Sequence, residues 1–581
     1  MPARPAPPDS RRRRLERRTL PMAVIAAVAL GAGVVLGAGH VPGEQRIAER
    51  FAEAWGRSDY ASMRALLTPS VQQATDAKTL AAAYRATTST ATIRSYDVGK
   101  PARGDDGVYE IPVTARTSAF GDVRGVVRLP LEGDGEEARV AWAPHLTFPG
   151  VAAGEALERT TTLPSRAALL ARDNRVLAEG PERGSPELAA LGASIVGELG
   201  PIPDELAKDF RAAGYPDDAQ VGISGLERIF ERELAGTPAG ELRAGATVLA
   251  RREPRESAPV RTTLAPSVQE AAIAALAERL GGAVAMDPAT GEVLGVAGIA
   301  FSGLQPPGST FKMITLAGAL QNGVASLKST YPLAGSATLS GVELNNANSE
   351  ICGGTLTEAF AISCNSVFGP LGAELGADRL VSVAERFGFN KPAPVPGAAT
   401  STIPPPDELG EDALNLGSTA IGQGKVQATT LQMTLVAGAF ANDGRLPVPT
   451  LAYRADAPET LGAEATSPKV ARQIRRMMVE VVDNGTGGAA AIDGVRVAGK
   501  TGTAELRSTH PCTPEADNPE SCADSSAVVD DTTDTTAWFT AFAPAENPRV
   551  LVGVMLVANG AGGDTAAPAA RTLLRSALAR G

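Results

Sequence analysis

Ser309 and Lys312 form the first pair of residues in the sequence that could do covalent chemistry. They follow a Pro-Pro-Gly run, and the pattern predicts a helix from Ser309 to Leu320. On such a helix the two side chains share one face, about one turn apart. A neutral lysine amine could then take the serine proton and make the hydroxyl a nucleophile. An ordinary helix cap followed by a solvated lysine has the same spacing, so this pair alone does not distinguish a catalytic site from a structural one.

Ser363 and Asn365 are a second polar pair, and they follow an apolar segment that ends at Ile362. A hydroxyl at this position could relay a proton. The amide could both donate to and accept from a substrate amide. Taken alone, so short a pattern is explained more simply as the polar end of a helix.

A third group, Lys500, Thr501, Gly502 and Thr503, follows a Val-Arg-Val segment and predicts an edge strand. Lys500 supplies positive charge, and the two threonines supply hydroxyl groups. Gly502 would let a ligand approach the backbone closely. Together these groups suit a carboxylate lying along the strand, although a plain surface strand remains possible.

The composition of the chain excludes several classes of protein and of catalytic site. The chain has 581 residues and is 44% hydrophobic, which is enough for three or four domains of about 150 residues. Its net charge of -11 argues against a general nucleic-acid binder. Only His40, His145 and His510 are histidines, and their wide separation argues against a multi-histidine zinc site or a Ser-His-Asp triad. Acid–base chemistry must therefore depend on other side chains.

The elements that position these groups fall into separate stretches. The pattern of residues 43–150 predicts a small α+β domain. Phe51 and Trp55 recur at helical spacing, and Asp59 could cap a second helix. Segments with the alternation of strands follow, the last of them over 139–142. This domain is either a spacer or a ligand-binding module. Residues 151–258 form a second, weaker pattern. Residues 259–581 predict a large core with a hairpin near 283–296, buried strands near 536–543 and 550–557, and a final helix over 566–579.

The N-terminus indicates the compartment. Six arginines between positions 11 and 18 precede an uncharged run from Thr19 to Val41. The run is long enough to cross a bilayer once. The sequence thus predicts a cytoplasmic tail over 1–20, a transmembrane anchor over 21–41 and an extracytoplasmic remainder, so that the protein lies in the cell membrane as a single-pass chain. A cleaved signal peptide is the competing interpretation.

All four cysteines lie in the C-terminal half of the chain. An oxidising exterior permits disulfides, and four cysteines allow three pairings. The local pairs Cys352–Cys364 and Cys512–Cys522 close the shortest loops and are favoured. A metal site is less favoured because no CxxC spacing occurs.

Taken in order, Ser309-x-x-Lys312, Ser363-x-Asn365 and Lys500-Thr501-Gly502 resemble the three motifs of penicillin-recognising serine enzymes. The surrounding sequence is similar to the transpeptidase domain of class B penicillin-binding proteins. The segment 222–227 resembles part of that family's dimerisation region, and the first extracytoplasmic stretch resembles the MecA-type, NTF2-like N-terminal domain.

The resemblance implies an α+β multidomain fold. After the single N-terminal anchor come an NTF2-like α+β domain (43–150), a penicillin-binding protein dimerisation or linker domain (151–258) and a C-terminal transpeptidase domain of the β-lactamase-like α/β type (259–581). It also implies a D,D-transpeptidase that cross-links peptidoglycan stem peptides ending in D-Ala-D-Ala. No metal or organic cofactor is expected, and strand polymerisation would come from a separate glycosyltransferase.

The resemblance further implies a role for each motif residue. Ser309 would attack the D-Ala-D-Ala carbonyl, with Lys312 as its base and the backbone N–H groups of Ser309 and Thr503 as the oxyanion hole. Ser363 would pass a proton to the leaving amine, and Lys500 would supply electrostatic pull and keep Lys312 neutral. The other side chains would hold substrate: Asn365 its amide, and Thr501 and Thr503 its carboxylate. β-Lactams would trap Ser309 as an acyl-enzyme, and the MecA-type architecture raises the idea of low β-lactam affinity and antibiotic resistance.

Two other functional classes share these motifs. A β-lactamase would deacylate quickly with water, but an anchored chain with two leading domains argues against it. A non-catalytic β-lactam sensor or wall-binding scaffold would usually have further membrane spans or lack a catalytic residue, and all of the motif residues are present here.

Overall fold

The structure is a computed structural model that describes residues 42–347, 350–456, 458–505 and 535–580. The predicted tail and anchor over 1–41 and the pair Cys512–Cys522 lie outside the described residues. Within the described ranges, no helix is both long and apolar enough to cross a membrane. The chain forms two compact units, and the predicted domain 151–258 contributes segments to both of them.

The first unit contains the described residues up to Thr162 together with 205–217 and 238–254. Its helices are Gly43–Gly56, Tyr60–Ala65, Pro69–Ala74, Ala77–Thr90 and Ala207–Ala213. An antiparallel sheet contains Ile93–Val98, Ala102–Arg103, Tyr109–Thr117 and Gly121–Leu129, and a second one contains Leu157–Thr162, Ala239–Ala244 and Thr247–Arg252.

The helical spacing of the first unit is confirmed. Phe51 and Trp55 are buried in its core, and the Asp59 carboxylate caps the second helix by accepting from Ser62 N–H. The strand predicted over 139–142 is wrong beyond Val140. A short strand, Arg139–Val140, pairs with Leu131–Glu132, and Pro144 then begins a 3₁₀ turn, Pro144–Thr147. Pro130, the next residue of the partner strand, accepts from the Ala141 N–H at 3.0 Å but has no N–H to donate in return, so the ladder ends there.

The second unit contains 163–204, 218–237 and the described residues from 255 onward. Its central sheet is antiparallel: β1 (Gly281–Met286), β2 (Val293–Gly298), β3 (Ala498–Glu505), β4 (Thr535–Ala543) and β5 (Val550–Leu556), in the spatial order β2-β1-β5-β4-β3. The predicted hairpin is confirmed, with Val284 opposite Val296. The strand that carries Lys500 lies at the edge, as predicted.

Both faces of this sheet are covered, which explains why successive residues of β4 and β5 are buried and mostly apolar. Alternate residues enter different clusters: Ala283 and Phe539 pack toward the helices Pro266–Leu276 and Ala567–Ala579, whereas Val284 and Trp538 belong to the larger cluster. The helices that contribute to the larger cluster include α1 (Lys312–Gln321), α2 (Leu356–Ile362), α3 (Asn365–Leu375), α4 (Thr430–Ala441) and α5 (Pro468–Asp483).

Smaller elements complete the second unit. Its other helices are Ala189–Ile195, Gly225–Ile229, Glu231–Leu234, Ala377–Arg386, Pro406–Leu409 and Ala413–Ala420. Its other strands are Leu169–Leu170, Val176–Ala178, Leu199–Pro201, Gln220–Gly222, Val260–Arg261, Thr330–Ala334, Ser336–Leu339, Val342–Asn345, Cys352–Thr355, Arg445–Pro447 and Leu461–Glu464.

Buried charges fix one short segment of this unit. Glu227 and Glu231 are both buried, and Arg166 donates to both carboxylates at 2.6 and 2.7 Å. Arg183 donates to the other oxygen of Glu227 at 2.6 Å. Because an unpaired buried carboxylate is costly, these bonds fix the segment in place.

Candidate active site

Ser309 lies on a tight turn that glycine makes possible. The segment Gly308–Phe311 is a 3₁₀ turn, and the α-helix begins only at Lys312, so the helix predicted from Ser309 is corrected by one turn. Gly308 has φ 51°, its N–H donates to the Gly422 carbonyl at 2.9 Å, and a Cβ there would collide with the Thr503 carbonyl. Ser309 itself is half-buried, and within the described residues its hydroxyl makes no hydrogen bond.

Lys312 is fully buried at the start of α1. Its Nζ donates to the Ser363 carbonyl at 2.6 Å and to Asn365 Oδ1 at 2.7 Å, and it lies 3.3 Å from Ser363 Oγ. Within the described ranges no hydrogen bond joins it to Ser309, so its action as the base for Ser309 stays a prediction. The structure thus joins the first motif to the second through Lys312.

Lys500, on the edge strand β3, also contacts Ser363. It is also fully buried, and its Nζ donates to Ser363 Oγ at 2.8 Å and to the Thr501 carbonyl at 3.1 Å. Two aromatic faces border the amines: Lys500 Nζ lies 5.5 Å from the Phe360 ring centre, and Lys312 Nζ lies 5.7 Å from that of Phe368.

Burial changes the protonation of both lysines. Desolvation, and after it the charge of Lys500, holds the pKa of Lys312 well below its usual value. Desolvation lowers the pKa of Lys500 to about 7. The lowered pKa of Lys312 favours its neutral amine, which is the form that can accept a proton as a general base.

Ser363 is held in a conformation that L-residues seldom adopt. It ends α2 with φ 69° and ψ 38°, in the left-handed region. This geometry turns both its hydroxyl and its carbonyl toward lysine amines. A strained residue with two functional contacts is typical of catalytic sites.

Asn365 is used by the protein on both ends of its amide. Its Oδ1 accepts from Lys312, and its Nδ2 donates to the Asn345 carbonyl at 2.8 Å. Because the amide nitrogen carries two hydrogens, one N–H remains for a substrate carbonyl.

A disulfide ties down the segment between Ser363 and Asn365. Cys364, the central residue of the second motif, is bonded to Cys352 at the start of the strand Cys352–Thr355, with the two Cα atoms 5.9 Å apart. This is one of the two predicted pairs.

The strand β3 presents the third motif. Thr501 is buried, and its hydroxyl lies 2.5 Å from Thr486 Oγ1. Thr503 is half-buried, and its hydroxyl accepts from the Gly562 N–H at 3.2 Å. A Cβ at Gly502 would lie 2.8 Å from the Pro307 carbonyl, so the turn before Ser309 also requires glycine here, and the close approach of a ligand to this backbone stays a prediction.

Several neighbours of the motifs were missed by sequence reasoning. They contact the motif residues through hydrogen bonds or aromatic faces: Thr486, Asn345, Gly562, Phe360 and Phe368. The glycines on both sides of Thr486 were the one local signal in the sequence, since such a run marks a turn with close packing.

The arrangement supports acyl transfer. A free hydroxyl lies on a turn packed against β3, and a second hydroxyl lies between two buried amines. Lys312, Ser363 and Lys500 form a continuous chain along which a proton can move.

Family models match most of the described chain. The penicillin binding protein transpeptidase domain matches 281–575, the penicillin-binding protein dimerisation domain matches 178–244, and the NTF2-like N-terminal transpeptidase domain matches 43–155. The peptidoglycan D,D-transpeptidase PbpA of Mycolicibacterium smegmatis is 33% identical over 419 residues, which cover 61% of this chain and 77% of that protein.

Solved structures show the same fold. The D,D-transpeptidase domain of a peptidoglycan glycosyltransferase from Eggerthella lenta is 29% identical, with a TM-score of 0.55 over 71% of this chain and 98% of that one. The ceftriaxone acyl-enzyme complex of penicillin-binding protein A from M. tuberculosis is 27% identical, with a TM-score of 0.53 over 71% of this chain and 98% of that one.

Proposed function

This chain belongs to the class B penicillin-binding protein transpeptidases, and we propose that Ser309 is the nucleophile with which it acts. The protein is a peptidoglycan D,D-transpeptidase that cross-links stem peptides through a serine acyl-enzyme and is acylated by β-lactams. The observation that carries the proposal for the site is the single hydroxyl of Ser363, shared by two fully buried lysines beside the turn of Ser309.

Acylation begins when the neutral Lys312 amine takes the proton of Ser309. The Ser309 oxygen bonds to the carbonyl carbon of the D-Ala-D-Ala amide, and the negative charge on the carbonyl oxygen is held by the N–H groups of Ser309 and Thr503. Each such donor is worth about 3 kcal/mol of transition-state stabilisation. The contact of Gly308 with the Thr503 carbonyl supports this pairing, because it brings the two segments together.

The leaving amine needs a proton before the C–N bond breaks. Ser363 passes it from Lys312, and the terminal D-Ala departs. In the second half of the reaction an amine of a neighbouring stem peptide attacks the acyl carbon, gives up its proton along the same route, and restores the Ser309 hydroxyl. Lys500 keeps a positive charge beside the site, and Thr501 and Thr503 hold the substrate carboxylate while Asn365 holds its amide.

The N-terminal segments give the enzyme its location. The arginine-rich residues 1–20 stay in the cytoplasm, residues 21–41 cross the membrane once, and the two described units lie outside. A separate glycosyltransferase supplies the glycan strands. The match of 43–155 to an NTF2-like transpeptidase domain supports an accessory module that follows the anchor in the chain, and low β-lactam affinity with antibiotic resistance is the property we propose for this domain combination.

Labelling with a fluorescent penicillin tests the nucleophile. We expect a long-lived adduct on the wild-type protein, none on Ser309→Ala, and full labelling of Ser576→Ala, whose hydroxyl bonds the Ser267 carbonyl on the far helices. Rapid loss of the adduct with release of penicilloate would instead favour a β-lactamase. Labelling of Ser309→Ala would refute the assignment.

A further inference from the structure

The two threonines of the third motif are each contacted by a hydrogen-bonding group outside the three motifs. Thr486 Oγ1 lies 2.5 Å from Thr501 Oγ1, and the Gly562 N–H donates to Thr503 Oγ1 at 3.2 Å. Neither Thr486 nor Gly562 belongs to a motif. Both therefore act on the reaction, if at all, through the threonine that each one contacts.

The hydrogens of these hydroxyls decide what they can do. An amide N–H can only donate, so Thr503 acts as the acceptor toward Gly562 and keeps its own hydrogen free. The hydroxyl of Thr486 can donate to one of two acceptors, Thr501 Oγ1 at 2.5 Å or the Ala361 carbonyl at 3.4 Å. When Thr501 gives its own hydrogen to a ligand, only Thr486 can be the donor in their 2.5 Å contact, so an acceptor bound to Thr501 selects the first of these two bonds.

The backbone holds Thr486 in place. Its N–H donates to the Ala361 carbonyl at 3.2 Å, in the last turn of α2 and two residues before Ser363. Gly485 and Gly563 have no room for side chains: a Cβ at Gly485 would collide with the Ala361 carbonyl, and one at Gly563 would lie 2.6 Å from the Thr486 carbonyl. Thr486 therefore connects the end of α2 to the edge strand β3.

We propose that Thr486 is a positioning residue for the substrate carboxylate. Its hydroxyl donates to Thr501 Oγ1 and thereby directs the Thr501 hydrogen to the terminal carboxylate of the acyl donor. Two hydroxyls that each accept from the protein and donate to the ligand then match the two oxygens of one carboxylate. The inference rests on the proposed function, because it assumes that Thr501 and Thr503 hold that group.

A pair of acyl donors separates this role from a merely structural one. Benzylpenicillin carries the carboxylate, and its methyl ester does not. Because a hydrogen bond to a charged group is worth roughly tenfold in binding, we expect Thr486→Val to lower the second-order acylation rate for benzylpenicillin about tenfold. The same variant should change the rate for the methyl ester less than twofold, and Thr486→Ser, which keeps the hydroxyl, should behave as wild type with both.

Two controls complete the test. Thr466→Val removes a buried hydroxyl that bonds Gln321 Oε1 and contacts no motif residue, so both rates should stay unchanged. In a Thr501→Val background, Thr486→Val should have no further effect on benzylpenicillin. If Thr486→Val does not fold, Thr486→Ala carries the same expectations.

An equal loss with both donors, or no loss with benzylpenicillin, would overturn the role of Thr486. So would an additive loss in the Thr501→Val background. A wild-type protein that benzylpenicillin does not acylate would instead contradict the proposed function itself, so the two failures are distinguishable.

Discussion

Ser363 Oγ lies 2.8 Å from Lys500 Nζ, and this bond joins the second motif to the third across 137 residues of sequence. Lys312 Nζ is 3.3 Å from the same oxygen. One hydroxyl therefore contacts both amines.

The acylation rate should depend on pH with a bell shape. It rises as Lys312 loses its proton; desolvation, and after it the charge of Lys500, holds the pKa of Lys312 well below its usual value. It falls as Lys500 loses its own charge, at about pH 7. The second-order rate with benzylpenicillin between pH 5 and 9 measures both limbs.

Arginine at position 500 tests the falling limb. A guanidinium stays protonated across this range, so Lys500→Arg should remove the fall above pH 7 even if the absolute rate is lower. Lys425→Arg, at an exposed lysine paired with Glu408, should leave the profile unchanged. A falling limb in Lys500→Arg at the wild-type position would contradict the assignment.

The two buried lysines should cost stability. The Lys500 pKa is lowered from 10.5 to about 7, so the folded state binds fewer protons than the unfolded state between these values. The penalty is largest below pH 7 and disappears as pH rises toward 10.5. We expect Lys500→Met to raise the free energy of unfolding at pH 7 by about 2 kcal/mol, after about 2 kcal/mol is lost with the hydrogen bonds to Ser363 Oγ and the Thr501 carbonyl.

Denaturant unfolding at pH 7 and pH 9 checks both the sign and the trend. The advantage of Lys500→Met should shrink at the higher pH, and Lys328→Met, at an exposed lysine, should change stability by less than about 0.5 kcal/mol. A Lys500→Met protein less stable than wild type at pH 7 would show that Lys500 supports the fold.

The disulfide should support both folding and catalysis. It closes a loop of sequence separation 12, for which about 3 kcal/mol of stabilisation is typical. Cys364 lies between Ser363 and Asn365, so Cys352→Ser with Cys364→Ser should lower the melting temperature and slow acylation several-fold. Cys512→Ser with Cys522→Ser is the matched control. Unchanged acylation without the first pair would show that packing alone holds the second motif.

A methyl group at Gly308 should abolish acylation. Gly308 and Gly424 both have positive φ, 51° and 68°, so alanine is strained at either position by about 1–2 kcal/mol. Only at Gly308 would the new Cβ meet the Thr503 carbonyl, whereas nothing lies within 4 Å of it at Gly424. Gly308→Ala should therefore lose penicillin labelling while Gly424→Ala keeps it, and equal labelling would indicate that the turn can move.

The fold was predictable where the sequence pattern is compatible with a single secondary structure. The strands near 536–543 and 550–557 are mostly apolar because helices cover both faces of the sheet. The turn at Ser309 was not predictable in detail. Its 3₁₀ geometry depends on Gly308 packing against Thr503 and Gly422, both of which are more than 100 residues away in sequence.

The site was predictable as a set of motifs but not as a network. The order of the motifs identified Ser309, Lys312, Ser363 and Lys500, and the structure brings Lys312, Ser363 and Lys500 into contact. Asn365 donates to the Asn345 carbonyl, and the Thr486 hydroxyl contacts that of Thr501. Both contacts join positions that only the folded chain brings together. No local pattern specifies them.

The left-handed backbone of Ser363 bears on how this enzyme could be engineered. Glycine adopts φ 69° with little conformational free-energy cost, whereas the Cβ of serine makes this backbone conformation unfavourable in the folded state. Laboratory selection for heat resistance alone would thus favour Ser363→Gly, and this substitution would remove the hydroxyl on which catalysis depends. Screens for robust variants need to score turnover alongside survival at temperature.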